Sequence, residues 1–221
     1  MLRSYIDHIT ITAPSLADGA EYVRQALGVT LQAGGEHPRM GTHNVLLKLG
    51  DALFLEVIAV NPDAPPPNRP RWFELDAVNA NHRSRLTTWV VRTNDIYAAV
   101  KASPVSPGNV EPMTRGQLRW LITLPGDGSL PLQGAAPALI QWDTAMHPAT
   151  GLQDLGCSLI RLDAFHAEAE KISSMLACIG FQGNFSVSPL AAGEQPYLVA
   201  HIQTPSGPRQ LDGRDFSLNL Q

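Results

Sequence analysis

The alternation of apolar and polar residues divides the chain into short strands and helices. Residues 7–12 alternate as in a β-strand, and residues 53–60 form an apolar run of strand length. Between them, apolar residues recur at helical spacing over residues 16–27, after a Ser15 suited to cap a helix and before a Gly28 suited to end one. The other predicted elements of this first unit are a short strand over residues 29–32, a glycine-rich loop over 34–41 and a hairpin strand over 45–49.

The same order of elements recurs twice more along the chain. A strand over residues 86–92 leads into a helix capped by Asn94, and a strand over 157–162 leads into a helix that ends at Gly180. The later predicted elements are strands at residues 118–124, 138–142, 197–204 and 209–211, with loops over 103–112 and 125–136. Three successive βαβββ-like units predict an α+β fold built from repeats.

The two-residue period of a strand decides which side chains share a face. It places His8 beside Thr10 and Thr12, and it places Glu56 beside Phe54. A histidine and a glutamate in otherwise apolar strands are costly to bury unless they bind something or pair with each other. His8 and Glu56 are therefore the leading candidates for a functional site, and a buried hydrogen bond between them is the structural alternative.

Composition narrows the classes of function. Of the 221 residues, 44% are hydrophobic and 16% charged, which is typical of a compact globular chain. The formal net charge of −4 and the absence of any lysine or arginine cluster give no reason to expect a nucleic-acid partner. We also expect no membrane partner, and the isolated Cys157 and Cys178 favour the reducing cytoplasm. No phosphate loop occurs, so no nucleotide cofactor is expected.

Several short motifs occur in an order that resembles a known superfamily. They are the Asp7-His8 strand, the loop 34–44 with His37-Pro38, the Leu55-Glu56 strand, Arg71-Trp72-Phe73, and residues 139–142 followed by His147-Pro148. Together they resemble glyoxalase-like proteins of the vicinal oxygen chelate superfamily. The resemblance implies that two βαβββ units form a curved eight-stranded cup over residues 1–148, with helices outside. Residues 149–221 would then be a third βαβββ-like unit, although unit one could instead pair with unit three.

The resemblance also implies a divalent metal, Zn, Ni, Mn or Fe, held by residues of the first and last strands of each unit. Carried over, these positions are His8 and Glu56 in unit one, and Thr88 (or the threonine before it) and Gln141 in unit two. Threonine is a poor ligand, so only half of the expected set is present. His43 could supply a third ligand, giving a predicted metal site of His8, Glu56 and His43.

The expected activity follows from the same resemblance. Glu56 or His43 would move a proton, and a small oxygen-rich substrate would bind beside the metal. The predicted substrate-binding residues are His37, Arg39, Arg119 and Gln141. The reaction could be of the isomerase, lyase or dioxygenase type. The alternatives are a metal-free binding protein that uses the same cup and a structural subunit.

The third unit suggests an oligomer. If the strands of units one and two pair with each other, the edge strands of the third unit remain unpaired. An unpaired edge strand can pair with a strand of another chain. We therefore expect a homodimer with the third units at its interface, and a third unit packed on its own chain is the alternative.

Overall fold

The structure is a computed structural model that describes residues 1–144, 146–191 and 193–214. The C-terminal part of the predicted third unit, after residue 214, lies outside the described residues. Among the described residues, no helix is long and apolar enough to cross a membrane.

The first unit folds in the predicted order. Its helix begins after Ser15, whose side chain accepts a hydrogen bond from the Asp18 backbone N–H, and ends at Gly28 in the left-handed conformation. The serine cap and the glycine stop thus act as the sequence predicts. The elements are β1 (Ser4–Thr12), α1 (Leu16–Leu27), β2 (Gln32–His37), β3 (Thr42–Gly50) and β4 (Leu53–Val60).

The second unit repeats this order after a proline-rich connection. Its helix is capped by Asp95, one residue later than predicted. The elements are β5 (Arg85–Thr93), α2 (Ile96–Ala102), β6 (Asn109–Arg115), β7 (Leu118–Leu124) and β8 (Ala138–Trp142). Short 3₁₀ helices lie in the connections, at Trp72–Ala77, Pro131–Gly134 and Pro148–Gly151.

Units one and two form one curled eight-stranded sheet in the order β2-β3-β4-β1-β5-β8-β7-β6. The two halves join where β1 runs antiparallel to β5. Within each half, the first strand lies parallel to the last, β1 to β4 and β5 to β8. The predicted pairing of unit one with unit two is confirmed, and the pairing of unit one with unit three is wrong.

Two predicted loops are strands over part of their length. The glycine-rich residues 34–41 continue β2 as far as His37, and β6 begins at Asn109 and includes Pro112. Both strands are the outermost strands of the sheet, where a residue that weakens or lacks a ladder hydrogen bond is tolerated. Composition alone therefore gave the wrong prediction at both edges of the sheet.

The third unit keeps the order of elements along the chain but not the order of strands. In unit one the first strand lies beside the fourth, whereas here the first strand lies between the second and the third. Its elements are β9 (Ser158–Phe165), α3 (Ala169–Cys178), β10 (Phe185–Ser188), β11 (Tyr197–Thr204) and β12 (Gly207–Asp212). They form a four-stranded sheet in the order β10-β9-β11-β12.

The third unit packs against the convex face of the large sheet. Trp89 of β5 is fully buried there, stacked on Phe185 at 4.5 Å between ring centroids and edge-on to Phe181 at 5.6 Å. Ile9 of β1 and Val23 of α1 share this core with apolar side chains of the third unit, so α1 lies outside the cup, as the resemblance implies. Since the third unit packs on its own chain, it gives no reason for a dimer; the homodimer and the division at residue 148 stay predictions.

We expect Trp89→Ala to lower the free energy of unfolding by about 3–5 kcal/mol, because it empties the contact between β5 and the third unit. Tyr97→Ala removes an aromatic ring that is 64% exposed, and we expect it to change the free energy by less than about 0.5 kcal/mol. Urea unfolding followed by circular dichroism measures both. A loss below about 1 kcal/mol for Trp89→Ala would contradict the docking of the third unit.

Candidate functional site

The concave face of the large sheet, which we call the cup, encloses a small pocket. Its polar groups come mainly from unit one, and its apolar wall comes mainly from unit two. The polar residues are His8, His37, Asn44, Glu56 and Arg115, and the apolar wall includes Phe54, Trp120, Ile122, Ile140 and Trp142. Trp72 and Phe73, from the connection between the units, complete the wall. The free space is about 40 Å³, enough for roughly one or two water molecules.

A β-bulge places two sequence neighbours near the same pocket. The register between β1 and β5 shifts between Ile6 and His8, which leaves Asp7 as the extra residue. In a regular strand Asp7 and His8 would point to opposite faces, but a bulge re-aims one side chain. As a result the two side chains meet, with His8 Nδ1 2.6 Å from Asp7 Oδ1.

Asp7 is fully buried and holds three donors. Besides His8, its carboxylate accepts from Trp142 Nε1 at 2.8 Å and from His147 Nε2 at 2.9 Å. Burial alone would raise the pKa of Asp7, but the hydrogen bonds from His147 and His8 outweigh it, and the pKa lies well below its usual range. Asp7 is therefore a fixed anion behind His8.

Glu56 faces the other nitrogen of His8. Its Oε2 lies 3.7 Å from His8 Nε2, and its Oε1 accepts a hydrogen bond from Asn44 Nδ2 at 2.6 Å. Thr10 Oγ1 lies 3.5 Å from Oε2, at the limit of a hydrogen bond. His8 also stacks on Phe54, with 4.6 Å between ring centroids, so the imidazole is held from the side as well.

Arg115, at the end of β6, reaches the pocket across two glycines. Its Nη1 lies 3.3 Å from Asn44 Oδ1 and 3.2 Å from His37 Nε2. A Cβ on Gly34 would lie 2.0 Å from Asn44 Oδ1, and one on Gly35 would lie 2.8 Å from Arg115 Cδ. The glycine pair in β2 is therefore needed for both side chains to take these positions.

The hydrogen-bond donors around the pocket determine which nitrogen of each histidine carries a proton. Arg115 can only donate, so His37 accepts at Nε2, and burial lowers the pKa of His37 to about 4. The Ala149 backbone N–H donates to His147 Nδ1, so His147 carries its proton on Nε2, toward Asp7. His8 likewise donates from Nδ1 to Asp7. What remains is the gap between His8 Nε2 and Glu56 Oε2, which lie 3.7 Å apart, too far for a direct hydrogen bond.

Of the residues predicted for the site, the structure brings His8, Glu56 and His37 together. His43 lies on the opposite face of β3 from Asn44, because neighbouring residues of a strand alternate. His43 is therefore separated from the pocket that holds His8 and Glu56.

Three other predicted residues lie outside the cup. Gln141 faces α2, where its Oε1 accepts the Ile96 backbone N–H at 2.8 Å. Arg119 is exposed beside Trp120, which is the residue of that strand that faces the pocket. Arg39 is exposed and pairs with Glu111 at 2.6 Å. Sequence alternation did not reveal which of these faces is the concave one.

Four residues of the site received no role from the sequence. Asp7 depends on a bulge that the alternation does not show, and Arg115 lies in a segment that was predicted to border a loop. Asn44 and Trp72 stood within the quoted motifs, and neither was predicted to bind a substrate or a metal. The strand period could have identified Asn44. Leu46 is the partner of Glu56 across β3 and β4, and Asn44 lies two residues before Leu46, on the same face.

A divalent metal fits this set of donors poorly. His8 and Glu56 are ligand types, but the concave residues of β5 and β8 are Thr88, Val90 and Ile140, which offer one hydroxyl. Among the described residues, no three His, Cys, Asp or Glu side chains form a group that could hold an ion. Arg115 adds a fixed positive charge on the same side as Asn44, which opposes a cation.

Comparisons with known proteins agree with this architecture. A family model described as a glyoxalase-like domain matches residues 6–179. No curated protein matches the chain. A crystal structure of a hypothetical protein from Staphylococcus aureus is similar over 85% of this chain and 86% of that chain, at 14% identity and a TM-score of 0.55, and shows the same fold.

Two further solved structures have lower TM-scores. A variant of methylmalonyl-CoA epimerase from Streptomyces coelicolor, in complex with 2-nitronate-propionyl-CoA, is 21% identical over 65% of this chain and 97% of that chain, with a TM-score of 0.43. Methylmalonyl-CoA epimerase from Mycobacterium tuberculosis is 15% identical over 62% and 85%, with a TM-score of 0.38. The family model spans well over half of this chain, and the protein therefore belongs to the glyoxalase-like domain family of the vicinal oxygen chelate superfamily.

Proposed function

We propose that this protein is an enzyme that moves a proton on a small oxygen-rich substrate bound in the cup. The supporting observation is the 3.7 Å gap between His8 Nε2 and Glu56 Oε2, two proton-exchanging groups that face one pocket. A carboxylate and an imidazole held at this distance can act as a general base and a general acid toward one substrate.

In the proposed reaction, Glu56 takes a proton from a carbon next to a carbonyl group. His8 gives a proton to the carbonyl oxygen, and the buried Asp7 anion stabilises the positive charge that His8 carries before the transfer. The product of this step is an enol, which can regain a proton at another position or lose a leaving group. Isomerase and lyase reactions both pass through such a step.

The hydrogen bond from Asn44 keeps Glu56 in place for this role. It engages Oε1 and leaves Oε2 facing His8. Trp120 and Trp142 form an apolar wall, so a substrate bound against it would be shielded from water, which would strengthen the electrostatic interactions with His8 and Glu56.

A metal-dependent reaction is the competing hypothesis. In it, His8 and Glu56 would hold Zn, Ni, Mn or Fe, and a dioxygenase would require such an ion. The donor set supports this hypothesis less well than proton transfer, because unit two, as far as the structure describes it, adds no carboxylate or imidazole to the pocket. A cytoplasmic location and a structural role for the third unit stay predictions from the sequence.

Hydrogen exchange at carbon tests the proton transfer without knowledge of the full reaction. We expect the protein in D₂O to accelerate the exchange of C–H protons next to the carbonyl in at least one member of a panel of small ketones, keto esters and 2-oxo acids. Glu56→Gln should lower this rate by about 10²–10⁴-fold, because it removes the base. Proton NMR measures the exchange.

The matched control is Glu170→Gln on the exposed face of α3, which should leave the rate unchanged. In the Glu56→Gln variant the new amide oxygen can still accept the hydrogen bond from Asn44, so the fold should persist. If panel members bind but none exchanges faster than in buffer, the metal-free binding protein becomes the better description of the cup.

Metal titration tests the competing hypothesis. Because no three His, Cys, Asp or Glu side chains of the described residues are placed to share an ion, we expect Zn, Ni, Mn or Fe salts to leave the melting temperature unchanged. A metal at 100 times its dissociation constant would instead add about 2.7 kcal/mol of stability. If the melting temperature rises in the wild type and in His82→Ala, which alters an exposed histidine, but not in His8→Ala, the metal-dependent hypothesis replaces ours.

A further inference from the structure

The indole nitrogen of Trp72 is a buried donor without an acceptor. Trp72 is 5% exposed and lines the cup, edge-on to His37 with 5.0 Å between ring centroids. Its Nε1 has no hydrogen-bond partner among the described residues. A buried N–H without a partner is destabilising, and native proteins usually satisfy such groups with protein, water or a ligand.

The Arg115 guanidinium lines the same pocket and has no salt bridge among the described residues. Its contacts there are the neutral acceptors Asn44 Oδ1 and His37 Nε2, and it forms no salt bridge with any residue that the structure describes. The exposed Arg39, by contrast, pairs with Glu111. Burial lowers the pKa of Arg115, and the charge of Glu56 offsets only part of this effect. A partly buried cation of this kind favours an anionic ligand.

From these two observations we infer that the cup binds a small monocarboxylate, with its acid group at the Trp72 N–H and the Arg115 guanidinium. Two donors suit the two oxygens of a carboxylate. A ligand with two negative charges is disfavoured, because Glu56 lies next to Asn44 in the same pocket and Asp7 is a fixed anion behind His8. A monocarboxylate is thus the substrate class for the proposed function, and this assignment rests on the proposal that the cup is the active site.

The remaining walls define the rest of the ligand. Phe54, Ile122 and Ile140 are apolar and buried, so the part of the ligand beyond its acid group is a short apolar chain. The free space of about 40 Å³ holds few atoms, so even a short acid enters only with a small movement of the wall, and a bulky chain is excluded. Proton transfer requires a carbonyl on this chain, within reach of Glu56 and His8. A short 2-oxo acid meets all of these requirements.

Binding of pyruvate and 2-oxobutyrate, compared with methyl pyruvate, tests the inference. We expect each acid to bind the full-length protein at least ten times more tightly than the uncharged ester. Arg115→Gln should weaken acid binding by 10–100-fold and remove the preference over the ester. Trp72→Phe, which keeps an aromatic ring but removes the N–H, should weaken acid binding by roughly 3–10-fold. Isothermal titration calorimetry measures these affinities.

Arg119→Gln is the matched control. Arg119 lies on the neighbouring strand of the same hairpin but is exposed, so its replacement should leave acid binding unchanged. Melting temperatures identify a variant that fails to fold; Arg115→Gln should keep the wild-type value, because it removes a charge that has no ion-pair partner among the described residues. The inference is overturned if ester and acid bind equally, if Arg115→Gln binds as the wild type does, or if neither acid binds at millimolar concentration.

The two proposals fail in different ways. Arg115-dependent binding of the acids without any exchange at carbon would overturn the proton transfer and keep the carboxylate site. Exchange that is as fast with methyl pyruvate as with pyruvate would keep the proton transfer and overturn the carboxylate site.

Discussion

The buried carboxylate of Asp7 is the group on which the arrangement of the cup depends. An ion removed from water costs several kcal/mol unless donors surround it, so its position fixes the groups that bond to it. These groups come from three parts of the chain: His8 beside it on β1, Trp142 at the end of β8, and His147 in the segment that follows. The same carboxylate thus orients the proposed acid and fastens the end of unit two to the first strand of unit one.

The two faces of the large sheet have different roles: one contributes most of the apolar core, and the other holds the polar pocket. The convex face carries the continuous apolar core, which includes Trp89, the helices and the third unit. The concave face carries a smaller core that surrounds the polar pocket. Because the third unit covers the convex side, the concave side need not supply most of the burial, and it can hold charges such as Asp7 and Arg115.

The sequence predicted the parts of the fold that depend on local patterns. Helix α1 has a serine cap and a glycine stop, and the two-residue period of β1 and β4 identified the faces that carry His8 and Glu56. It did not predict the features that depend on tertiary contacts. Whether Gly34 lies in a loop or a strand depends on Asn44 filling the space beside it, and the strand order of the third unit follows from how β10 pairs with β9.

The same distinction explains why some residues predicted for the site lie outside the pocket. Arg119 and Arg115 lie on paired strands of one hairpin and carry the same charge. A single-sequence pattern gives the spacing along a strand but not which side is concave, so it could not prefer one arginine over the other. Asp7 was missed for a related reason. In a bulge, two residues of one strand lie opposite one residue of the neighbouring strand. The neighbouring strand here is β5, about eighty residues further along the chain, so the sequence around Asp7 does not show the bulge.

Units one and two contribute different kinds of residue to the cup, and this difference affects how the cup would stabilise negative charge. Unit one supplies His8 and Glu56, whereas the concave residues that unit two places opposite them are largely apolar, as at Val90 and Ile140. An oxyanion formed in the cup would still need positive charge close by. In the proposed mechanism this charge comes from His8, which protonates the oxygen. Arg115, held at the pocket by Asn44 and His37, supplies a second positive charge for the acid group of the ligand. Neither charge needs a set of metal ligands from unit two, which is consistent with the apolar wall found there.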